Sequence, residues 1–255
     1  MTEHQLQLIV EMHLGSERQG PGSEEATNLA LQLTQLNFKD ELNVLDIGSG
    51  TGAQTLQLAT RLSNSSITAV DIFSEFLDEL KKRAKHKNLE NAINPLIASM
   101  DKLPFYERSF DLIWSEGAIY NIGFEKGIKL WAPLLKENGV MAISEITWTT
   151  KDRPQEIEKF WSAAYPEISL ASDKIKILEE NGLSPLGYFV LKEDCWLENY
   201  YSPLIEKAED MMVKYEAEED KIEFIKQELS EVDLYRRHSN YYSYGFYIAR
   251  KTNKQ

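Results

Sequence analysis

The chain has 255 residues, of which 42% are hydrophobic, and a formal net charge of -13. This suffices for one sizeable core with an appended lid. The acidic charge argues against a nucleic-acid partner, because phosphate binding needs clustered Lys and Arg. No run approaches the roughly 20 apolar residues of a membrane span, and the start lacks the basic region of a secretory signal. A single cysteine, Cys195, excludes an intrachain disulfide, and we expect a cytoplasmic protein.

Apolar runs and amphipathic stretches alternate over the first 150 residues. Ser23 and Ser74 are each predicted to cap a helix. Helical periodicity covers 23–38, 53–62, 75–87 and 125–138, and strand-like runs cover 43–47, 66–72, 94–100, 110–117 and 139–148. Strands separated by helices favour parallel crossovers, so the fold class is predicted to be α/β with a doubly wound, mostly parallel sheet.

The pattern changes beyond residue 150. Helices are predicted over 153–165 and 172–182, followed by a strand over 184–196 and a closing strand over 241–251. Two helical stripes between these strands predict a lid over about 197–237, and the last strand is predicted to be antiparallel. We therefore divide the chain into an N-terminal flap (1–22), a ligand-binding core (23–150) and a C-terminal part that completes the sheet and carries the lid (151–255).

The stretch VLDIGSGTGA, residues 44–53, places three glycines directly after the first strand. A P-loop is excluded, because no Lys follows the last glycine as G-x-x-x-x-G-K-[ST] requires. The dinucleotide pattern G-x-G-x-x-G differs in spacing, although Asp71 at the end of the second strand could bind a ribose diol in either case. Asp46, two residues before Gly48, would oppose a pyrophosphate and favour a ligand with a cationic group.

The loop, followed in order by Asp71, by Ser99-Met100-Asp101 and by the SFDLIW strand, resembles the motif series of class I S-adenosylmethionine (SAM)-dependent methyltransferases. The likeness spans roughly residues 20–150 and is similar to the small-molecule branch, which includes ubiquinone-biosynthesis-type and glycine/sarcosine-type enzymes. It implies a Rossmann-like core, SAM as cofactor and a small-molecule acceptor, and it leaves a homodimer open. The implied cofactor-binding residues are Gly22, Asp46, Gly48, Gly50, Gly52, Asp71, Ile72, Met100, Asp101 and Ser115.

The loop after the fourth strand, Ser115–Asn121, borders both cofactor and substrate in related enzymes. Glu116 and Tyr120 in this loop, together with His238 in the late chain, are the candidate catalytic residues. In-line methyl transfer mainly needs alignment, and a base is needed only when the nucleophile starts protonated. No metal-ligand spacing is present, so no metal is expected.

The late chain is rich in aromatic residues, and two interpretations stay open. The rings could form a box that attracts a methylated amine, or they could pack the lid against the sheet. The residues concerned are Trp148, Trp161, Tyr165, Trp196, Tyr200, Tyr201, Tyr241, Tyr242 and Tyr244.

Three other functions remain as alternatives to a small-molecule methyltransferase. A SAM-binding protein without catalysis and a protein-directed methyltransferase keep the same cofactor. An NAD-dependent dehydrogenase is disfavoured by the glycine spacing and by Asp46.

Overall fold

A computed structural model describes residues 2–252. One eight-stranded sheet runs through it, with the path β3-β2-β1-β4-β5-β8-β7 and with β6 paired to β5. All neighbours are parallel except that β8 is antiparallel to both β5 and β7. The strands are β1 (Asn43–Ile47), β2 (Ser66–Asp71), β3 (Ile93–Ile97), β4 (Phe110–Glu116), β5 (Leu135–Trp148), β6 (Ser169–Leu170), β7 (Leu183–Val190) and β8 (Tyr242–Lys251). The predicted fold class is confirmed.

Helices cover both faces of this sheet. They are α1 (Glu3–His13), α2 (Glu24–Leu33), α3 (Ala53–Arg61), α4 (Ser74–His86), α5 (Phe124–Trp131), α6 (Gln155–Ala164), α7 (Ala171–Glu180), α8 (Asp194–Trp196), α9 (Ser202–Lys214) and α10 (Glu219–His238). A π-helical turn, Leu197–Tyr201, joins α8 to α9, and short 3₁₀ turns lie at Ile119–Asn121 and Ala132–Leu134. No helix among residues 2–252 combines the length and the apolar character needed to cross a bilayer.

Alternation along the strands divides the core into two apolar layers. Val44 and Leu45 are neighbours in β1, yet Val44 packs in the layer that contains α2 and α3 residues, whereas Leu45 packs in the layer that contains α5 residues. Both side chains are fully buried, as expected for a sheet covered on both faces. The strand order reverses between β1 and β4. In such sheets ligands bind at this switch point, outside the carboxyl ends of the strands.

Local boundaries differ from the predicted ones in three places. β3 ends at Ile97, so Met100 and Asp101 lie in the turn after the strand. Ser74 is the first residue of α4 and makes no capping bond to its backbone; the Oδ1 atom of Asp71 instead accepts from the Phe73 N–H at 3.0 Å. The predicted strand 184–196 ends at Val190, and the helical insertion (residues 194–238) begins before the predicted lid.

Candidate functional site

The glycine loop makes a tight turn between β1 and α3. Gly48, Gly50 and Gly52 have φ values of +73°, +54° and +88°, a region that residues with a Cβ rarely adopt. The N–H groups of Gly48 and Ser49 donate to the Val70 carbonyl at 2.8 and 3.0 Å, which fixes the loop on β2. A Cβ built on Gly48 would collide with Ala118, and one built on Gly52 would collide with Leu80. Ala118 and Leu80 can therefore lie this close to the loop only because Gly48 and Gly52 have no side chain.

Asp71 ends β2 beside this loop. Its Oδ2 atom accepts from the Gly50 N–H at 2.9 Å, while Oδ1 accepts from Phe73 as described above. Burial raises the pKa of this carboxyl, and the backbone N–H groups oppose that effect. Each carboxylate oxygen has a further lone pair, so the group can also accept from an added diol.

Asp46 is completely buried in β1, two residues before Gly48. Its oxygens accept from the hydroxyl of Thr55 and, at 3.4 Å, from the amide of Gln54. Burial raises the pKa of Asp46 to about 7, and the nearby charges of Glu116 and Asp71 add to this shift. The carboxyl groups of Asp46 and Asp71 thus lie together at the carboxyl ends of β1 and β2, which suits a positively charged ligand, whereas Glu116 at the end of β4 is paired with Arg18.

The turn after β3 faces the same edge of the sheet. Its conformation is held by Trp131, whose indole N–H donates to the Met100 carbonyl at 2.8 Å. Asp101 is exposed, accepts from Ser99 at 2.6 Å and lies 3.5 Å from the Lys126 ammonium. Ile72, the residue after Asp71, is 60% exposed at this edge.

Glu116 is bound on three sides at the end of β4. Oε1 accepts from the Trp114 indole at 2.9 Å and from the Thr27 hydroxyl at 2.7 Å, and Oε2 accepts from Arg18 at 2.8 Å. The neighbouring Ser115 is also fully engaged, because its hydroxyl donates to the Ile47 carbonyl at 2.9 Å. These contacts make Glu116 a point of attachment for the N-terminal segment (residues 2–22); its predicted catalytic role stays a prediction.

The N-terminal segment lies directly on the glycine loop. Gln19 Oε1 accepts from the Thr51 N–H at 2.8 Å and contacts the position that a Cβ on Gly50 would take. Gly22 links the segment to the helical insertion: its N–H donates to the Cys195 carbonyl at 3.3 Å, and its carbonyl accepts from Asn199 at 2.9 Å. Arg83 of α4 donates to the carbonyls of Glu17 and Thr51.

The other two candidate catalytic residues lie in different surroundings. Tyr120 follows Glu116 in the loop after β4, and its ring is 6.2 Å from the Tyr165 ring. His238 ends α10, and its Nε2 atom lies 3.0 Å from a carboxylate oxygen of Glu156 in α6. His238 Nδ1 is buried without a hydrogen-bond partner among the described residues.

Sequence reasoning missed Arg18 and Gln19, because neither belongs to a motif and both act across more than 30 residues of chain. The Gly/Pro-rich run Gln19–Ser23 is the available signal in the sequence, but such a run indicates only a turn and not which side chains enter the site.

Comparisons with known proteins agree with this geometry. Residues 44–139 match the family described as "Methyltransferase domain". The ubiquinone/menaquinone biosynthesis C-methyltransferase of Rickettsia bellii is 33% identical over 125 residues, which cover 47% of this chain and 50% of that protein. The chain thus spans about half the length of the curated relatives it matches.

Solved structures extend the likeness to nearly the whole chain. A SAM-dependent methyltransferase from Geobacter sulfurreducens in complex with S-adenosyl-L-homocysteine has a TM-score of 0.81 at 16% identity, over 95% of this chain and 97% of that one. The YjhP protein of Escherichia coli has a TM-score of 0.83 at 18% identity, over 97% and 100%. At these identities the likeness shows the fold. Residues 44–139 thus match a methyltransferase domain, and nearly the whole chain has the fold of solved SAM-dependent methyltransferases.

Proposed function

We propose that the protein transfers a methyl group from S-adenosylmethionine to a small-molecule acceptor. The observation that carries the proposal is the position of Asp71, whose carboxylate is fixed 2.9 Å from the Gly50 N–H at the switch point of the sheet. When bound, the cofactor supplies an electrophilic methyl group on a sulfonium centre.

The residues around Asp71 fit the parts of this cofactor. Asp71 would accept from the ribose hydroxyls, and the exposed side chain of Ile72 together with Met100 would flank the adenine, with Asp101 next to its amino group. The hydroxyl of Ser49 is buried without a partner among the described residues and is available to a polar group in the loop. The buried Asp46 would contribute negative charge near a cationic ligand.

The glycine loop favours this cofactor over a dinucleotide. Gly48, Gly50 and Gly52 form the turn of the loop, and the carboxyl groups of Asp46 and Asp71 lie beside it and would repel a pyrophosphate. The acceptor atom is proposed to be a nitrogen or an oxygen, with carbon as a further option, and the relative from Rickettsia bellii is a C-methyltransferase of quinone biosynthesis.

Calorimetric titration with S-adenosylhomocysteine, with NADH in a parallel cell, tests the proposal. We expect micromolar binding of the first ligand and none of the second. Asp71→Ala should weaken binding at least about tenfold, since charge-assisted hydrogen bonds are lost. Asp78→Ala is the matched control, because Asp78 lies exposed on α4. This variant should bind S-adenosylhomocysteine as tightly as the wild type does. NADH binding, or equal affinities in both folded variants, would contradict the proposal.

A further inference from the structure

A group of tyrosines lies on the far side of the loop after β4 from the glycine loop. Ala118 packs against Gly48, while a Cβ built on the preceding Gly117 would lie 2.8 Å from Cε2 of Tyr244. The ring of Tyr244 is therefore separated from the glycine loop by the thickness of one loop. An acceptor bound beside this ring would lie close to a cofactor on Gly48.

Tyr244 and Tyr120 both lie at the loop after β4. Tyr244 is 8% exposed and packs against Gly117, and Tyr120 lies three residues further along, in the turn Ile119–Asn121. Tyr120 is 42% exposed, so its ring is accessible to a ligand. Burial raises the pKa of both hydroxyls, that of Tyr120 to about 12, so both stay protonated at neutral pH.

Tyr200 approaches from the helical insertion, in the π-helical turn before α9, a distortion that is frequent at functional sites. Its ring is 5.1 Å from that of Tyr201, and the Trp196 ring lies 5.8 Å from Tyr201 and 5.0 Å from Tyr244. The His13 ring stacks on Tyr200 at 6.0 Å with an interplanar angle of 7°. Burial lowers the pKa of His13 to about 4, so this ring carries no positive charge at neutral pH.

Two carboxylates of α10 face the tyrosines without a cationic partner. Glu231 Oε1 accepts from the Tyr201 hydroxyl at 2.7 Å, and Glu228 lies one turn earlier on the same helix. No Lys, Arg or His of the described chain lies within ion-pair distance of either group. Burial raises the pKa of both carboxyls, and the charge of Glu231 raises the pKa of Tyr120, Tyr200 and Tyr244. A poorly hydrated carboxylate without a cationic partner is unfavourable, and a bound cation would compensate its charge.

We infer that Tyr120, Tyr200, Tyr244 and Glu231 form a binding site for a cationic amine, and that this amine is the methyl acceptor. Aromatic faces attract an ammonium group through the ring quadrupole, and the carboxyl group of Glu231 also favours a cation beside it. A neutral phenol or quinol would leave both α10 carboxylates uncompensated. The identification of the amine as acceptor rests on the proposed function, whereas the cation site itself does not.

A pair of ligands of equal shape tests the charge preference. Choline and 3,3-dimethylbutan-1-ol differ in having nitrogen or carbon at the branched centre, so only choline is a cation. Each is titrated calorimetrically into the full-length protein, with and without saturating S-adenosylhomocysteine. We expect choline to bind at least about tenfold more tightly than its neutral isostere.

Variants show which side chains produce the preference for choline over its neutral isostere. Glu231→Gln keeps the oxygen that accepts from Tyr201 and removes the charge, so it should abolish most of the preference for choline. Glu223→Gln is the matched control, because Glu223 is an exposed residue of the same helix, and it should retain the full preference. Tyr244→Phe keeps the ring and should retain the preference, whereas Tyr244→Leu should reduce it. Melting temperatures establish that each variant is folded. If Tyr244→Leu is not folded, Tyr200→Leu tests the loss of an aromatic ring in its place.

The outcomes separate this inference from the proposed function. Equal binding of the two ligands, or an unchanged preference in folded Glu231→Gln, would overturn the cation site even if S-adenosylhomocysteine binds. Choline selectivity without S-adenosylhomocysteine binding would support the site and contradict methyl transfer. Selective binding of a neutral quinol in the same cell would also overturn the inference.

Discussion

The Arg18 guanidinium donates to Glu116 Oε2 at 2.8 Å and thereby joins the N-terminal segment to the carboxyl end of β4. The two side chains are only 10% and 6% exposed, so the pair lies inside the protein. Glu116 in turn contacts α2 through Thr27, and the residue after Arg18 lies on the glycine loop. This ion pair is therefore one of the contacts that hold the segment over the proposed cofactor site, and we expect the segment to act as a flap.

Arg18→Ala tests this arrangement. Removing one partner leaves a buried, uncompensated carboxylate, so the free energy of unfolding should fall by about 3 kcal/mol. The segment should also be released, and dissociation of S-adenosylhomocysteine should accelerate. Urea unfolding and stopped-flow displacement measure the two effects. Adding Glu116→Gln to Arg18→Ala should recover part of the stability, and a double variant less stable than the single one would contradict the prediction.

The pH dependence of binding should follow Asp46. Because its pKa is raised to about 7, Asp46 is largely protonated in the free protein at pH 5 and becomes charged as the pH rises. A cationic ligand favours the charged form, so affinity for S-adenosylmethionine should increase between pH 5 and pH 8. Calorimetry across this range should show a clearly flatter profile in Asp46→Asn, which lacks this titrating group.

Stability should change with pH in the opposite direction. Between about pH 4 and pH 7 the folded protein holds a proton on Asp46 that the unfolded chain has released. This contribution to folding is fully present below about pH 4 and is lost as the pH rises through 7. Urea unfolding of the wild type and of Asp46→Asn at pH 5 and pH 8 measures it. An identical change with pH in the two proteins would exclude Asp46 as its source.

Gly48 should not tolerate a side chain. Its φ of +73° is strained for alanine, and the added Cβ would collide with Ala118. We expect Gly48→Ala to cost about 1–3 kcal/mol of stability and to reduce S-adenosylhomocysteine affinity. Gly20→Ala is the control, since a Cβ there meets no atom within 4 Å. Equal affinity of the two variants would show that the close approach at Gly48 is not needed.

A buried ion pair behind β5 should be important for folding. Lys174 Nζ lies 3.3 Å from Glu145 Oε1, both side chains are essentially inaccessible, and Glu145 Oε2 has no partner among the described residues. Burial lowers the pKa of Lys174 and raises that of Glu145. Lys174→Met should therefore cost about 3–5 kcal/mol in urea unfolding. Lys174→Met combined with Glu145→Gln should be more stable than Lys174→Met alone.

The sequence by itself determined the architecture. Short apolar strands alternate with amphipathic helices, and these periods depend only on neighbouring residues, so the sheet with an antiparallel β8 could be predicted. The glycine loop and Asp71 were also found, because their spacing reflects a local turn at the end of a strand. Boundaries were less accurate: Ser74 does not cap α4, since the carboxylate of Asp71 takes that role.

Tertiary structure decided what surrounds the site. Arg18 reaches Glu116 across 98 residues, and Tyr201 reaches Glu231 across 30, contacts that no local period encodes. The sequence left open whether the late aromatic residues form a box or only pack. In the structure Trp196 stacks on Tyr235 within the core, whereas the ring of Tyr244 lies against Gly117 in the loop after β4. This division arises because burial and charge pairing depend on which elements pack together, and that is fixed only when the helical insertion and the N-terminal segment close on the sheet.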